Sequence, residues 1–282
     1  MTAPRRVGIL GGTFDPIHCG HLDAGAAAQT ALDLGELLVL PSNIPPHRPQ
    51  PEASGYHRFA MVALAIAGRR GWRALDLELR EDGRSYTSDS LHRLHHQGFD
   101  AQELYFVTGA DAFLEIATWK HYPAVLNLAH FAVISRRGTP VGELPARLPA
   151  LADRMRTMDP AVSFQADRGA AGRSEDRPLQ ESGVERREAG FAGRSDDRPP
   201  LGESGVGHAF QGVPASEPIP TQETVIFLID VPTANVSATA IRGALANRQP
   251  IAGMVPPAVR QHIEQHALYQ DVTAATGSGG GS

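Results

Sequence analysis

The sequence predicts an α/β fold built on a mainly parallel sheet, and three observations carry that prediction. Short apolar runs alternate with Ala/Leu-rich stretches along most of the 282 residues. The runs have the length of buried strands and are too short for core helices. The polar residues best suited to chemistry stand directly after these runs, at the carboxyl ends of strands, where open α/β sheets hold their ligands.

Taken in order, Val7-Gly8-Ile9-Leu10 reads as the first strand and Leu22 to Leu34 as the helix after it. Leu37 to Leu40 is a second strand, ended by Pro41, and Tyr56 to Ala67 has helical character. Ala74 to Leu79 alternates as a half-buried strand does. Thr87 or Ser88 is placed to cap a helix reaching Gly98. Leu104 to Thr108 is a buried strand, Ala110 to Thr118 a helix, and His130 to Ser135 a further strand. Thr224 to Asp230 resumes the sheet. Ser237 to Asn247 and Pro256 to Tyr269 then form a C-terminal helical extension, the second helix with proline near its first turn. A parallel sheet covered by helices on both faces is a doubly wound, Rossmann-like architecture.

Residues 165–218 break the pattern. Ala171-Gly172-Arg173-Ser174-Glu175-Asp176-Arg177-Pro178 recurs as Ala192-Gly193-Arg194-Ser195-Asp196-Asp197-Arg198-Pro199. Two copies fall short of the three stacked units a solenoid needs. The stretch is rich in Gly, Pro, Arg and acids and buries too little to offset its ordering entropy, so a disordered surface insertion is expected. Loop closure cost grows slowly with length, so the host fold tolerates it. Residues 1–164 and 219–270 are therefore expected to form a single domain, with 271–282 a Gly/Ser-rich flexible tail.

The net charge of −5 gives no global basic footprint, which argues against nucleic acid as a partner. No apolar run approaches the ~20 residues that span a bilayer, and the N-terminus lacks a secretory apolar region. A single cysteine, Cys19, excludes an intramolecular disulfide framework. A cytoplasmic protein is expected.

The most informative segment is Gly11-Gly12-Thr13-Phe14-Asp15-Pro16-Ile17-His18-Cys19-Gly20-His21. A strand that breaks at paired glycines and re-enters a helix lets backbone approach phosphates, and the helix N-terminus favours anionic oxygens. His18 and His21, three apart, can converge on that spot. Capping and solvation account equally well for either histidine alone; the combination points to a nucleotide-phosphate site. Cys19 with the two histidines matches no usual zinc spacing, so no protein metal site is expected.

Four further signals follow strands. In Pro41-Ser42-Asn43-Ile44-Pro45-Pro46-His47-Arg48, prolines stiffen a loop whose Asn43, His47 and Arg48 offer donors to a carboxylate or phosphate, although a plain polar loop reads the same way. Ser85-Tyr86-Thr87 precedes a helix, where capping is the simpler account. Gly109-Ala110-Asp111 follows a strand, with Trp119 downstream; a helix cap and a core aromatic are the simpler alternatives. Val236-Ser237-Ala238-Thr239-Ala240-Ile241-Arg242 opens a late helix. Its hydroxyls and arginine read as a second phosphate cradle, at the opposite end of the domain from the first.

With these motifs assembled, residues 5–135 and 224–269 resemble the bacterial nicotinate-nucleotide adenylyltransferases. His-x-Gly-His and Ser-x-Thr-x-x-Arg mark their nucleotidyltransferase superfamily; Pro-Ser-Asn-Ile-Pro-Pro-His and Gly-Ala-Asp with Trp119 narrow the match. The resemblance implies AMP transfer from ATP to nicotinate mononucleotide, giving deamido-NAD and pyrophosphate, with Mg²⁺ accompanying ATP. It places His18, His21 and Arg242 in catalysis. Gly11, Gly12, Thr13, Asp111, Ser237 and Thr239 join them around ATP. Asn43, His47, Ser85, Tyr86, Thr87, Trp119 and Arg136 form the mononucleotide side. The 165–218 insertion departs from the compact family pattern, as does Cys19, where an aromatic residue is frequent. The competing readings are a related adenylyltransferase taking nicotinamide mononucleotide or phosphopantetheine, a class I aminoacyl-tRNA synthetase fragment, and a non-catalytic nucleotide sensor. No basic tRNA-binding extension supports the synthetase fragment.

Overall fold

A computed structural model describes residues 5–46, 49–158 and 223–270. Among them seven strands form one parallel sheet: β1 (Val7–Gly12), β2 (Glu36–Pro41), β3 (Trp72–Ala74), β4 (Leu104–Gly109), β5 (His130–Ile134), β6 (Met155–Met158) and β7 (Ile226–Ile229). Their order is β3-β2-β1-β4-β5-β7-β6. The order reverses between β1 and β4, which opens a crevice at their carboxyl ends. Gly11 and Gly12 end β1, and Gly109 ends β4.

The α-helices among the described residues are α1 (Cys19–Leu32), α2 (Gly55–Ile66), α3 (Thr87–His96), α4 (Ala110–Leu114), α5 (Leu144–Arg147), α6 (Ala238–Ala246) and α7 (Pro257–Gln265). Side chains alternate across each strand, so the sheet builds two cores. On one face Leu10, Leu37 and Val39 pack with Leu22 and Ala28 of α1, Met61 and Val62 of α2, Ile241 of α6, and Val259 and Ile263 of α7. On the other, Val7, Ile9 and Leu38 pack with Leu91 and Leu94 of α3 and Phe113 of α4. Among the described residues no helix is long and apolar enough to cross a membrane.

The elements depart from expectation at several places. The strand expected over Ala74–Leu79 lies earlier, at Trp72–Ala74, because the Trp72 indole is held by Gln29 Oε1 at 2.7 Å and aligns this stretch with Leu37–Val39. Beyond it Leu75 makes one last backbone bond, its N–H donating to the Val39 carbonyl at 3.0 Å, and Leu75 and Leu77 pack on the second core past the strand's end. The expected helix over Ala110–Thr118 is α4 followed by a 3₁₀ turn at Ile116–Thr118, which keeps both Phe113 and Ile116 fully buried. Neither Thr87 nor Ser88 caps α3: Tyr86 stands at the cap and contributes no side-chain bond. The last helix ends at Gln265, leaving Tyr269 beyond it. Strand β6 was not foreseen, because Met-Arg-Thr-Met at a sheet edge carries no apolar run. The readings of 165–218, 271–282 and His47 fall outside the described residues.

Candidate active site

His18 stands at the N-cap of α1 with an extended backbone and is only 3% exposed. Its backbone N–H donates to Nδ1 of His21 at 3.3 Å. That bond makes Nδ1 the acceptor, so a neutral His21 carries its hydrogen on Nε2. The two rings stack with centroids 3.6 Å apart, and the Phe14 ring stands edge-on to His21. Burial, and then the Arg136 charge, lower the His18 pKa to about 4, so the imidazole is neutral at pH 7. Its Nδ1 is buried with no hydrogen-bond partner among the described residues. Gly20, between the histidines, leaves no room for a side chain. A Cβ there would lie 2.8 Å from the Ala234 carbonyl oxygen and 3.3 Å from His18 Nδ1. Cys19 packs at the same turn, its N–H donating to Met254 and its thiol meeting the Gly253 carbonyl. Burial pushes the thiol pKa up, which suits packing better than reactivity.

The second cradle lies against the first and not at the far end of the domain. The loop before α6 rests on the first turns of α1, with the Ala234 N–H donating to Asp23 Oδ2 at 2.8 Å. Ser237 accepts from the Ala240 N–H at 3.1 Å and so caps α6, while Thr239 is exposed on its first turn. Arg242 donates to the Asp15 carbonyl at 2.8 Å and to Glu52 Oε1 at 2.5 Å. Glu52 thus competes with any phosphate for this guanidinium.

On the other side of the crevice, residues expected to meet a ligand are partly used by the fold. The Asn43 backbone N–H donates to Ser85 Oγ at 2.8 Å, and its side-chain amide donates to the Glu81 carbonyl at 2.7 Å. Beside Ser85, the Ser90 hydroxyl donates at 2.6 Å to Glu78, a carboxyl whose pKa burial raises. Tyr86 and Thr87 open α3 with no side-chain cap, which leaves the first N–H groups of the helix without a capping side chain. Half-buried Trp119 stands edge-on to Phe106 at 5.9 Å. Its neighbour Lys120 ties it to α3, pairing with Asp89 at 2.8 Å and lying over the Tyr86 ring. Asp111 and Arg136 crowd Gly109: a Cβ there would lie 2.5 Å from Asp111 Oδ1 and 2.9 Å from Arg136 Nε.

Residues 9–244 match the cytidylyltransferase-like family. The chain is 35% identical over 260 residues to a "Probable nicotinate-nucleotide adenylyltransferase" of Cronobacter sakazakii, covering 92% of this chain and 94% of that one. It belongs to this adenylyltransferase family. A relative in Desulfatibacillum aliphaticivorans under the same name is 46% identical over 132 residues, 46% of this chain and 60% of that protein. The solved Plasmodium falciparum nicotinic acid mononucleotide adenylyltransferase complexed with NaAD aligns at a TM-score of 0.55 and 15% identity, covering 94% of this chain and 97% of that one, a likeness of fold.

Three residues of this adenylyltransferase escaped the sequence reading. Arg58 is 2% exposed, and its guanidinium donates to the carbonyls of Ala53, Thr13, Ser42 and Asn43. It thereby ties the Gly-Gly-Thr loop to the Pro-Ser-Asn loop. Asp15 is buried and accepts from the Glu52 and Ala53 N–H groups and from the Tyr269 hydroxyl. Lys120 is the third. An arginine amid the apolar residues of α2 was a legible signal for the first of them; the others had none.

Proposed function

We propose that the enzyme transfers the adenylyl group of ATP to nicotinate mononucleotide, forming nicotinate adenine dinucleotide and releasing pyrophosphate. The observation that carries the reading is the stacked His18–His21 pair at the β1/β4 crevice, with Arg242 from α6 brought to the same corner. The acceptor's phosphate is already a nucleophile, so attack on the α-phosphorus needs no covalent protein intermediate. The protein supplies positioning and charge stabilisation. His21 Nε2–H serves as donor to the phosphoryl oxygens as charge builds, and neutral His18 orients it through the stack and the backbone bond. Gly11, Gly12 and Thr13 let backbone approach the nucleotide. Arg242, released from Glu52, holds the distal phosphates with Ser237 and Thr239, and Asp111 takes the ribose. Asn43, His47, Ser85, Tyr86, Thr87, Trp119 and Arg136 shape the acceptor side, with Trp119 stacking on the pyridine ring.

The residues at this corner do not furnish a resident Mg²⁺ site. The Asp15 carboxylate is filled by two N–H groups and a phenol, and Asp111 faces Arg136. Mg²⁺ is read as the companion of the ATP phosphates, and no step here runs through it.

Pyrophosphate release from ATP, measured with nicotinate mononucleotide, nicotinamide mononucleotide and phosphopantetheine, tests the reading. Fastest turnover with the first supports it; a higher kcat/KM with either other acceptor, or none with any, overturns it. A cytoplasmic setting fits the lone cysteine. Residues 165–218 are read as an insertion dispensable for chemistry, which joining Phe164 to Ile219 by a short linker would test.

A further inference from the structure

Away from the crevice, α2 and α7 pack side by side through Met61, Val62, Val259 and Ile263. Where they meet, three imidazoles converge. His262 and His266 stand four residues apart and share one face of α7 and its cap. His57, on the first turn of α2, faces them from the neighbouring helix. One ring nitrogen from each lies within 4.8 Å of the other two, and His57 Nδ1 is 3.1 Å from His262 Nε2. A hydrogen bond between those two satisfies that pair alone and gives no reason for the exposed His266 to converge on them.

We propose that His57, His262 and His266 form a binding site for a divalent transition-metal cation of the zinc class. A tetrahedral zinc ion with nitrogen ligands at about 2.0–2.1 Å sets those nitrogens about 3.3 Å apart and the imidazole centroids about 5 Å apart. The three centroid separations here are 5.3, 4.8 and 4.5 Å, and no ring pair is stacked. Closing the third ligand needs only a side-chain rotation of His266. Three imidazoles with no carboxylate in the set select zinc, cobalt, nickel or copper and reject Mg²⁺ and Ca²⁺, which take oxygen ligands. The site is therefore chemically separate from any magnesium carried by ATP. Water fills the fourth position on the exposed His266 side. A bound ion cross-links α2, which carries Arg58, to the helix that leads into Tyr269. The sequence expectation of no metal site rested on the spacing of Cys19, His18 and His21; His57 and His262 are 205 residues apart, so no local spacing announces this cluster.

The test uses the full chain freed of metal by a chelator. Co²⁺ is titrated in while its visible absorption is followed, and Zn²⁺ is then added in competition. One equivalent of Co²⁺ should bind with the strong absorption of a tetrahedral ion and be displaced by Zn²⁺, and Zn²⁺ should raise the Tm. His266→Ala and His57→Gln should each weaken binding roughly 100-fold or more, beyond the loss of an outer-shell partner. His92→Ala, an exposed histidine elsewhere, should change nothing. Circular dichroism checks that the variants fold; His266 is exposed, so His266→Ala decides the matter alone if His57→Gln does not fold. The assignment is overturned if the wild type shows no stoichiometric binding below millimolar metal, or if either folded variant binds as the wild type does.

Discussion

The Tyr269 hydroxyl donates to Oδ1 of Asp15 at 2.8 Å, joining positions 254 residues apart. Asp15 belongs to the loop between β1 and α1, and Tyr269 follows the last helix, so the C-terminal segment props the loop that carries His18. Tyr269→Phe removes a hydrogen bond to a buried carboxylate, worth about 1.5–3 kcal/mol. A lower Tm with KM for ATP raised more than KM for the acceptor is expected. Unchanged Tm and KM would separate the C-terminus from the site. Burial and the Asp15 charge raise the Tyr269 pKa, so the bond persists below the phenol's ordinary pKa of about 10. Its contribution is lost only as pH rises above that value, where the unfolded chain alone gives up the proton.

Arg58 holds four carbonyls from two loops with one planar group. A lysine has the charge but a single nitrogen, which cannot reach all four. Arg58→Lys therefore leaves buried carbonyls unpaired at about 1–3 kcal/mol each where water cannot enter. Denaturant unfolding should show clear destabilisation, and steady-state kinetics should show raised KM for both substrates, since the proposed function gives each loop one of them. A rise for one substrate alone would contradict the bridging role.

His18 carries a pH dependence with a defined sign. Its folded pKa of about 4 lies below the ordinary value of 6.5. Between those values the unfolded chain binds a proton that the folded protein refuses, so stability falls as pH drops through this window. The loss from His18 is about 3 kcal/mol at most. His18→Asn should flatten the decline in Tm between pH 6.5 and 4.5 relative to wild type, although buried His130, also shifted down, retains part of it. Parallel curves for the two proteins would show that His18 is not shielded from protonation.

The His-x-Gly-His turn and the strands β1, β2, β4 and β5 were legible because each rests on neighbours in sequence: an apolar run, a glycine break, a helix start. Asn43 and Ser85 were legible as polar residues after a strand and before a helix, yet their groups bond each other and the 81–83 turn, holding the Pro-Ser-Asn loop in shape. Ser237 likewise spends its oxygen on its own helix. A sequence shows that donors are present but not which of them the fold consumes. An arginine among the apolar residues of α2 marked Arg58 as unusual but not its carbonyl partners, and no local pattern announces the Asp15–Tyr269 bond or the three-histidine cluster, which join distant segments.

Gly109 offers a test of how Asp111 and Arg136 are placed around the end of β4. Its φ of −79° suits any residue, so the backbone conformation does not demand glycine. A Cβ would instead strike the Asp111 carboxylate and the middle of the Arg136 side chain, at Nε and Cγ. Gly109→Ala should therefore keep its Tm within a few degrees while lowering kcat/KM tenfold or more, because both side chains must swing away from the crevice. A large Tm loss with normal kcat/KM in the folded fraction would mean that the glycine serves packing alone.

The enzyme should prefer the acid mononucleotide over the amide, and Lys120 should help set that preference. The acceptors differ only in carboxylate against carboxamide, so discrimination must come from groups that read charge. The start of α3, uncapped by Tyr86, offers N–H donors and the positive end of a helix. A carboxylate satisfies such donors with both oxygens, whereas a carboxamide turns its NH₂ against them and leaves donors unpaired at ~1–3 kcal/mol each. Two mismatches correspond to on the order of 10²-fold in kcat/KM. Asp89 on the same turn would repel the carboxylate, and Lys120 cancels that charge with bonds of 2.9 and 2.8 Å to its two oxygens. Lys120→Met should thus lower kcat/KM for the acid more than for the amide and narrow the ratio between them. Measured at one pH with both acceptors, an unchanged ratio would show that the pair does not act on the carboxylate, and equal wild-type values would show that α3 does not read it.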